Sequence, residues 1–200
     1  MKICVYAICK NEEKFIERWY ESVKEADGIY VLDTGSTDNS VNLLKSLGVV
    51  VRQEIISPWR FDIARNKSLE MIPDDFDICI CLDLDEVLEK GWSKTIKSLW
   101  KDGLTRLRYV YNWSLDKNNQ PIISFYGEKI HKRKGFTWVN PVHEILKYKG
   151  EEKYLYTDKV IVNHYPDSKK SRSSYLPLLE LAVKEDPRND RNMHYLGREY

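Results

Sequence analysis

Three carboxylates within four residues, Asp83, Asp85 and Glu86, follow directly on the apolar run ICICL at 78–82. An uninterrupted apolar run of this length suits a central strand buried on both faces. Extended-chain alternation would point Asp83 and Asp85 to one side and Leu84 and Glu86 to the other. Two carboxylates so close repel each other unless a cation or a shared proton intervenes. Acids just past the C-terminal end of a buried strand, where open α/β sheets bind ligands, therefore predict a metal-dependent site. The competing interpretation is an acidic turn facing solvent.

Other residues with chemical potential sit at the ends of neighbouring strands. Asn11 and Glu12 follow the first strand, and Asp33 ends the second. In a parallel sheet these ends share one edge, so scattered residues converge on one cleft. Asn11, Ser36, Thr37 and Asp38 suit caps or turns equally well. Asp33 leans towards function, because Ser36 or Thr37 already supplies a helix cap. Asp62, Arg65 and Asn66 lie at i, i+3 and i+4 of one helix, although an Asp–Arg pair there contributes little by itself. His143 beside Glu144 offers a base with its helper, or a lone carboxylate base. His164 at a strand end has the character of a metal ligand through a neutral imidazole. His131 and His194 carry no such context. Neither GxGxxG nor a Walker pattern occurs, so the phosphates of any bound nucleotide would need a cation, which the Asp83/Asp85 pair would hold.

The elements that must position these residues can be read along the chain. Residues 2–8 form a strand, and Asn11 is a plausible N-cap for a helix with Ile16, Trp19, Tyr20 and Val23 on its apolar face. A second strand at 29–32 ends at Asp33. A helix capped by Ser36 or Thr37 runs through Leu47 and stops at Gly48. A third strand starts at Val49, a helix spans Phe61 to Ile72, and the acidic-tipped strand is the fourth. Strand and helix thus alternate over 1–86, which predicts an open, mostly parallel sheet with right-handed crossovers. Beyond a short helix near 93–100, strands are expected at 104–111, 122–133 and 154–162, with a turn at 116–121. Residues 169–200 read as two helices split at Asp186-Pro187.

Two hundred residues can bury a sizeable core, and 42% hydrophobic with 32% charged residues describes a globular chain. A formal net charge of +1 offers no bulk attraction for nucleic acid or a membrane surface. No stretch reaches the length of a membrane-spanning helix, and the apolar run after Met1 is too short for a signal peptide. Cys4, Cys9, Cys79 and Cys81 lie in or beside buried strands, not in a disulfide framework, so buried free thiols and a cytoplasmic location are expected.

Four motifs together, Ala7 to Glu13 (AICKNEE), Val31 to Asp38 (VLDTGSTD), Ala64-Arg65-Asn66 and Leu82 to Glu86 (LDLDE), resemble family 2 glycosyltransferases. Their order matches the family over residues 1–165, and the branch most similar in appearance includes lipopolysaccharide core β-glucosyltransferases and peptide S-glycosyltransferases. The resemblance implies an inverting enzyme with the Rossmann-like GT-A fold, a mostly parallel central sheet flanked by helices. It divides the chain into a glycosyltransferase domain at 1–168, with a nucleotide-sugar half at 1–86 and a mixed-strand acceptor half at 87–168. The helical tail at 169–200 resembles the start of a tetratricopeptide-like region.

Carried over residue by residue, the resemblance implies that Asp33 holds the uracil or ribose of a UDP-sugar, with Ala7, Asn11 and Glu12 lining the same pocket. Arg65 would lie near the base or diphosphate. Asp83 would reach the ribose or the metal, and Asp85 would bind Mn²⁺ or Mg²⁺, with His164 as a further ligand. Glu144, with His143 beside it, is the candidate base. The acceptor would be a glycan, a lipid-linked glycan or a peptide. Leu84 stands where the family commonly has a small residue.

Two alternatives use the same acids differently. An apolar strand followed by DLDEV also fits the nucleophile motif of haloacid-dehalogenase-type, Mg²⁺-dependent phosphohydrolases. That fold needs a later strand ending in two acids, and none is apparent after residue 88. A non-catalytic nucleotide-sugar-binding module is the other, against which the intact Asp83/Asp85 pair argues.

Overall fold

The computed structural model describes residues 1–167 and 175–200. The expected boundary between catalytic domain and tail, at 168/169, falls outside the described residues.

The first half is a run of crossover units: β1 (Ile3–Cys9), α1 (Glu13–Val23), β2 (Gly28–Asp33), α2 (Ser40–Ser46), β3 (Val50–Gln53), α3 (Phe61–Glu70) and β4 (Ile78–Cys81). The second half contributes β5 (Glu86–Leu88), α4 (Trp92–Leu99), β6 (Arg106–Leu115), β7 (Pro121–Lys132), β8 (Phe136–Val139), β9 (Ile145–Tyr148) and β10 (Tyr154–His164). Helices α5 (Tyr175–Glu185) and α6 (Asp190–Glu199) follow. Eight strands form one sheet in the order β3-β2-β1-β4-β7-β6-β10-β5. β1, β2, β3 and β4 pair in parallel, β7 runs antiparallel to β4 and β6, and β10 is parallel to β6. The chain grows outward from β1 through β2 to β3 and then returns to place β4 on the other side. That reversal opens a crevice beyond the carboxyl ends of β1 and β4, the usual ligand position in open α/β sheets.

Both faces of β1 and β4 are buried, which explains their unbroken apolar sequences. Ile3, Val5 and Ala7 alternate onto the face covered by Phe15, Ile16, Trp19 and Val23 of α1. Cys4, Tyr6, Cys79 and Cys81 face the other way, against Leu69 and Ile72 and against Phe136, Trp138 and Leu146. The last three belong to the small antiparallel sheet β8–β9, which the sequence alone does not reveal. Strands of four residues are too short for alternation to distinguish them from loop. All four cysteines are free and buried, as expected. Burial pushes the Cys9 and Cys81 thiols up to about 12. Among the described residues no helix is long and apolar enough to cross a membrane.

His131, without context in the sequence, is a fully buried link on that second face. The Trp138 indole N–H donates to the Tyr6 hydroxyl at 3.0 Å, and that hydroxyl lies 2.9 Å from His131 Nε2. Nδ1 lies 2.8 Å from the Lys132 carbonyl, an acceptor only, so Nδ1 carries the proton and Nε2 accepts from Tyr6. Burial lowers the imidazole pKa to about 3. The unfolded chain therefore binds a proton below about pH 6.5 that the folded chain refuses, so this stability is complete above that pH and is lost as pH falls towards 3. Lowering the pH from 7 to 5.5 should cost about 1 kcal/mol through this group alone. Urea unfolding at the two pH values should show that loss in the native chain and a smaller one in His131→Gln. Equal losses would remove His131 from the acid response.

Candidate functional site

The fourth strand ends at Cys81, and the chain turns at once: the Glu86 amide donates to the Asp83 carbonyl at 2.9 Å. This turn corrects the expected division of the acids, because alternation applies only while the chain stays extended. Asp83 and Glu86 now flank one ammonium group, with Lys129 Nζ at 2.9 Å from Asp83 Oδ2 and 2.9 Å from Glu86 Oε1. The Glu86 carboxylate also accepts from the Asp83 amide at 2.9 Å and from the Tyr111 hydroxyl at 2.8 Å. Asp85 faces elsewhere, towards His164.

Arg65 joins this cluster to the second half of the chain. Its guanidinium grips Asp83 with both terminal nitrogens, at 2.8 and 3.1 Å, and donates through Nε to Glu144 Oε1. It also lies over the Trp138 ring at 5.1 Å. Asp62, the expected helical partner of Arg65, pairs instead with Arg60 at 2.9 Å. Asn66 ties α3 to β8, accepting from the Trp138 amide at 2.8 Å and donating to its carbonyl at 2.9 Å. Burial opposes charge on Asp83, but Arg65 and Lys129 outweigh it and hold the carboxyl well below the usual range. Burial pushes the Glu86 carboxyl up, against the opposing pull of Lys129. Lys129 carries no signal in the sequence as a site residue, and Glu86 was expected on the side away from Asp83; the Lys129–Glu86 pairing spans 43 residues and leaves no local signal.

The Asp85–His164 pair has a different chemistry. His164 Nε2 lies 3.5 Å from Asp85 Oδ2, and Nδ1 lies 3.0 Å from the Trp113 carbonyl. A carbonyl only accepts, so Nδ1 carries a proton and Nε2 is aimed at Asp85. Burial disfavours the imidazolium, but the bonds to Asp85 and to Trp113 outweigh it and raise the pKa. A carbonyl-anchored imidazole beside a carboxylate is the donor arrangement of a histidine metal ligand with its orienting partner. Among the described residues no cluster of three or more His, Cys, Asp or Glu side chains forms a metal cage. Two protein donors suit a cation that keeps its remaining positions for water and phosphate oxygens, as Mg²⁺ does. The fit therefore lies with Asp85 and His164, while Asp83 is fully engaged by two protein cations. A cavity of about 390 Å³ opens beside His164, lined in part by Arg18, Ser114, Asp116 and Tyr165. Trp113, 42% exposed, stacks on the His164 ring at 4.7 Å, whereas Trp138 is buried packing.

The strand-end residues of the first half converge as expected, with corrected roles. Asn11 does not cap α1, whose first residue is Glu13 and whose cap position is Glu12, without a side-chain cap bond. Instead Asn11 Oδ1 accepts from the Thr37 amide at 2.7 Å, and the Asn11 amide donates to Ser36 Oγ at 2.9 Å. Ser36 and Thr37 cannot cap α2, which begins at Ser40; Asp38 accepts the Ser40 amide at 3.0 Å. Asp33 is fully buried and accepts from the Gly35 and Ser36 amides at 3.2 Å, so it organises the turn it was expected to leave to others. Ala7, expected in the nucleotide pocket, is fully buried in the core beneath α1. Glu12 is buried, its amide donating to Ser40 Oγ at 2.9 Å. His143 stands in the loop before β9 with its ring stacked on Tyr195 at 3.9 Å.

A mostly parallel sheet with its acidic turn at the β1/β4 switch point defines a GT-A glycosyltransferase fold. Residues 4–148 match Glycosyl transferase family 2, and the chain belongs to that family. It is 38% identical over 100 residues to an uncharacterized glycosyltransferase of Rickettsia bellii, covering 50% of this chain and 33% of that protein. It is 24% identical over 166 residues to the lipopolysaccharide core biosynthesis glycosyltransferase LpsC of Rhizobium meliloti, covering 80% and 56%. The chain thus spans between a third and just over half the length of these relatives. Among solved structures, S. aureus TarS 1-349 in complex with UDP superposes with a TM-score of 0.61 at 14% identity, covering 95% of this chain and 67% of that one. Glucosyl-3-phosphoglycerate synthase from Mycobacterium tuberculosis, in complex with Mn²⁺, UDP and phosphoglyceric acid, gives 0.51 at 21% identity, covering 66% and 56%. Membership of this family displaces the phosphohydrolase alternative.

Proposed function

We propose that the chain carries the catalytic site of a metal-dependent, inverting glycosyltransferase that uses a UDP-sugar. The observation that carries this is the Asp85–His164 pair, its imidazole oriented by the Trp113 carbonyl, beside the switch-point acids of a family 2 chain. The neighbours described with UDP, and with Mn²⁺ and UDP, support the choice of nucleotide and cation. Asp85 and His164 would hold Mn²⁺ or Mg²⁺, which, when bound, offsets the negative charge that grows on the departing diphosphate. Asp33, Asn11 and Glu12, gathered at the ends of β1 and β2, would flank the nucleoside. Asp83 would act through its ion pairs, holding Arg65 and Lys129 at the floor of the site. Glu144 would take the acceptor's proton as the acceptor atom bonds to the anomeric carbon and the bond to the diphosphate breaks. Attack from the opposite face inverts the configuration and yields UDP with the glycosylated acceptor. LpsC, by its name, works in lipopolysaccharide core biosynthesis, which supports a glycan acceptor for this chain.

Calorimetric titration with UDP, with and without Mn²⁺, tests the donor site directly. Binding should require the cation and vanish with a chelator. Disrupting an orienting partner of a metal ligand typically costs 10–100-fold, so Asp85→Ala and His164→Ala should each weaken Mn²⁺-dependent UDP binding by more than about 100-fold. UDP affinity indifferent to Mn²⁺ would sink the metal assignment. Release of phosphate from a phosphomonoester without UDP binding would sink the function as a whole.

A further inference from the structure

The loop that carries Glu144 joins β8 to β9, its ends closed by the Val139–Ile145 pair. Two of its residues, Asn140 at φ 78° and His143 at φ 49°, adopt the left-handed backbone region without being glycine. Such conformations cost free energy and persist only where the surroundings over-determine them, and they cluster at functional sites. A hairpin loop of this kind would ordinarily stand out into solvent. Here Val142 at its apex is 2% exposed.

Two separate elements impose this shape. From one side, α3 contributes the Phe61 amide, which donates to the Pro141 carbonyl at 3.0 Å, and Arg65, which donates to Glu144. From the other side stands the C-terminal helical pair. Val142 packs with Leu178 and Leu179 of α5. The His143 ring stacks on Tyr195 of α6 with centroids 3.9 Å apart and planes 15° off parallel, and meets Tyr175 edge-on at 5.7 Å. Arg191 donates to the His143 carbonyl at 3.4 Å. The helical pair is itself fastened to the start of α3, where Arg60 binds both Asp62 and Glu185. So the tail and α3 close on the loop together.

We infer that α5 and α6 are a positioning element of the catalytic centre, and that Tyr195 acts as a positioning residue through His143. This rests on the assignment of Glu144 as the base. His143 is the residue before Glu144, so the Tyr195 stack fixes the peptide from which the carboxylate projects. Arg65 fixes the carboxylate itself. With the stack removed, the backbone can relax from its left-handed conformation, and the carboxylate shifts relative to an acceptor held elsewhere. Displacements near 1 Å can lower turnover by about 100-fold without touching substrate affinity.

The test uses the full chain with Tyr195→Ala and Tyr195→Phe, the second keeping the stacking ring. Two measurements are made: steady-state turnover of UDP-sugar with Mn²⁺, and amide hydrogen exchange of a peptide covering residues 138–146. Tyr195→Ala should lower kcat by about tenfold or more, with donor KM and UDP affinity within about twofold of native. Exchange of the loop should quicken in that variant, and Tyr195→Phe should restore both properties. Native kcat in Tyr195→Ala, unchanged loop exchange, or failure of Tyr195→Phe to rescue would each overturn the inference. A native chain that turns over no nucleotide sugar would instead overturn the proposed function, and loop exchange would still decide whether the helices hold the loop.

Discussion

Glu144→Gln should leave UDP-sugar binding intact and lower turnover by about 10²–10⁴-fold, the usual contribution of a positioned general base. The structural grounds are specific. Glu144 meets Arg65 through Oε1 rather than the Asp85–His164 pair, so the proposed cation site does not depend on its charge. Glutamine retains a carbonyl oxygen able to accept from Arg65 Nε, so the loop keeps its tether, yet it cannot take a proton from an acceptor. Binding and chemistry therefore separate in this one variant. The measurement is UDP release under donor saturation, paired with calorimetry of UDP in the presence of Mn²⁺. Native turnover in Glu144→Gln would remove this residue from the base role. A parallel collapse of UDP affinity would show that Glu144 supports the donor site instead.

The second large effect concerns stability. Arg65 is 6% exposed and serves two carboxylates, Asp83 and Glu144, on opposite sides of the site. Removing one partner of a buried ion pair typically destabilises by about 3–5 kcal/mol, because a charge remains without its counter-ion. Arg65→Ala should fall in that range, since Lys129 still neutralises Asp83 but does not bond Glu144. Adding Glu144→Gln to Arg65→Ala should recover part of the loss, because the stranded anion is then gone. Arg65→Lys should not substitute well, since a single ammonium cannot bond two carboxylate oxygens in parallel while also reaching a third. Urea unfolding of the three variants measures this. A loss under about 1 kcal/mol in Arg65→Ala would mean that solvent or a neighbouring cation replaces the guanidinium.

Much of the scaffold is legible along the chain because its signals are local. An unbroken apolar run marked β4 as a strand buried on both faces, shorter apolar stretches marked β1 and β2 as strands, and the alternation with helices marked a parallel sheet. The same locality limited what could be read. Caps are short-range, but the choice of capping residue depends on where the helix begins. That start was one residue later than Asn11 suggested and two later than Thr37 suggested, so Asn11 became a bridge to the Thr37 amide and Asp38 accepts the amide of Ser40, the first residue of α2. The small β8–β9 sheet escaped notice because four-residue strands carry too little periodicity, and with it went the reason for Asn66, whose amide bonds the Trp138 backbone. His131 looked like a bystander because Tyr6 and Trp138, its partners in the buried chain of hydrogen bonds, lie far away in sequence.

What residue order determined by itself is the alternating architecture, the family and the set of acids from which a site can be made. Motif identity and local periodicity suffice for those. Only the tertiary structure decided how the acids are used. A turn right after β4 breaks the alternation that would have aligned Asp83 with Asp85. β7 then brings Lys129 between Asp83 and Glu86, α3 brings Arg65 from Asp83 to Glu144, and β10 brings His164 to Asp85. Charges separated by tens of residues find their partners through the packing of strands and helices, and nothing in their immediate sequence states which cation each carboxylate will meet.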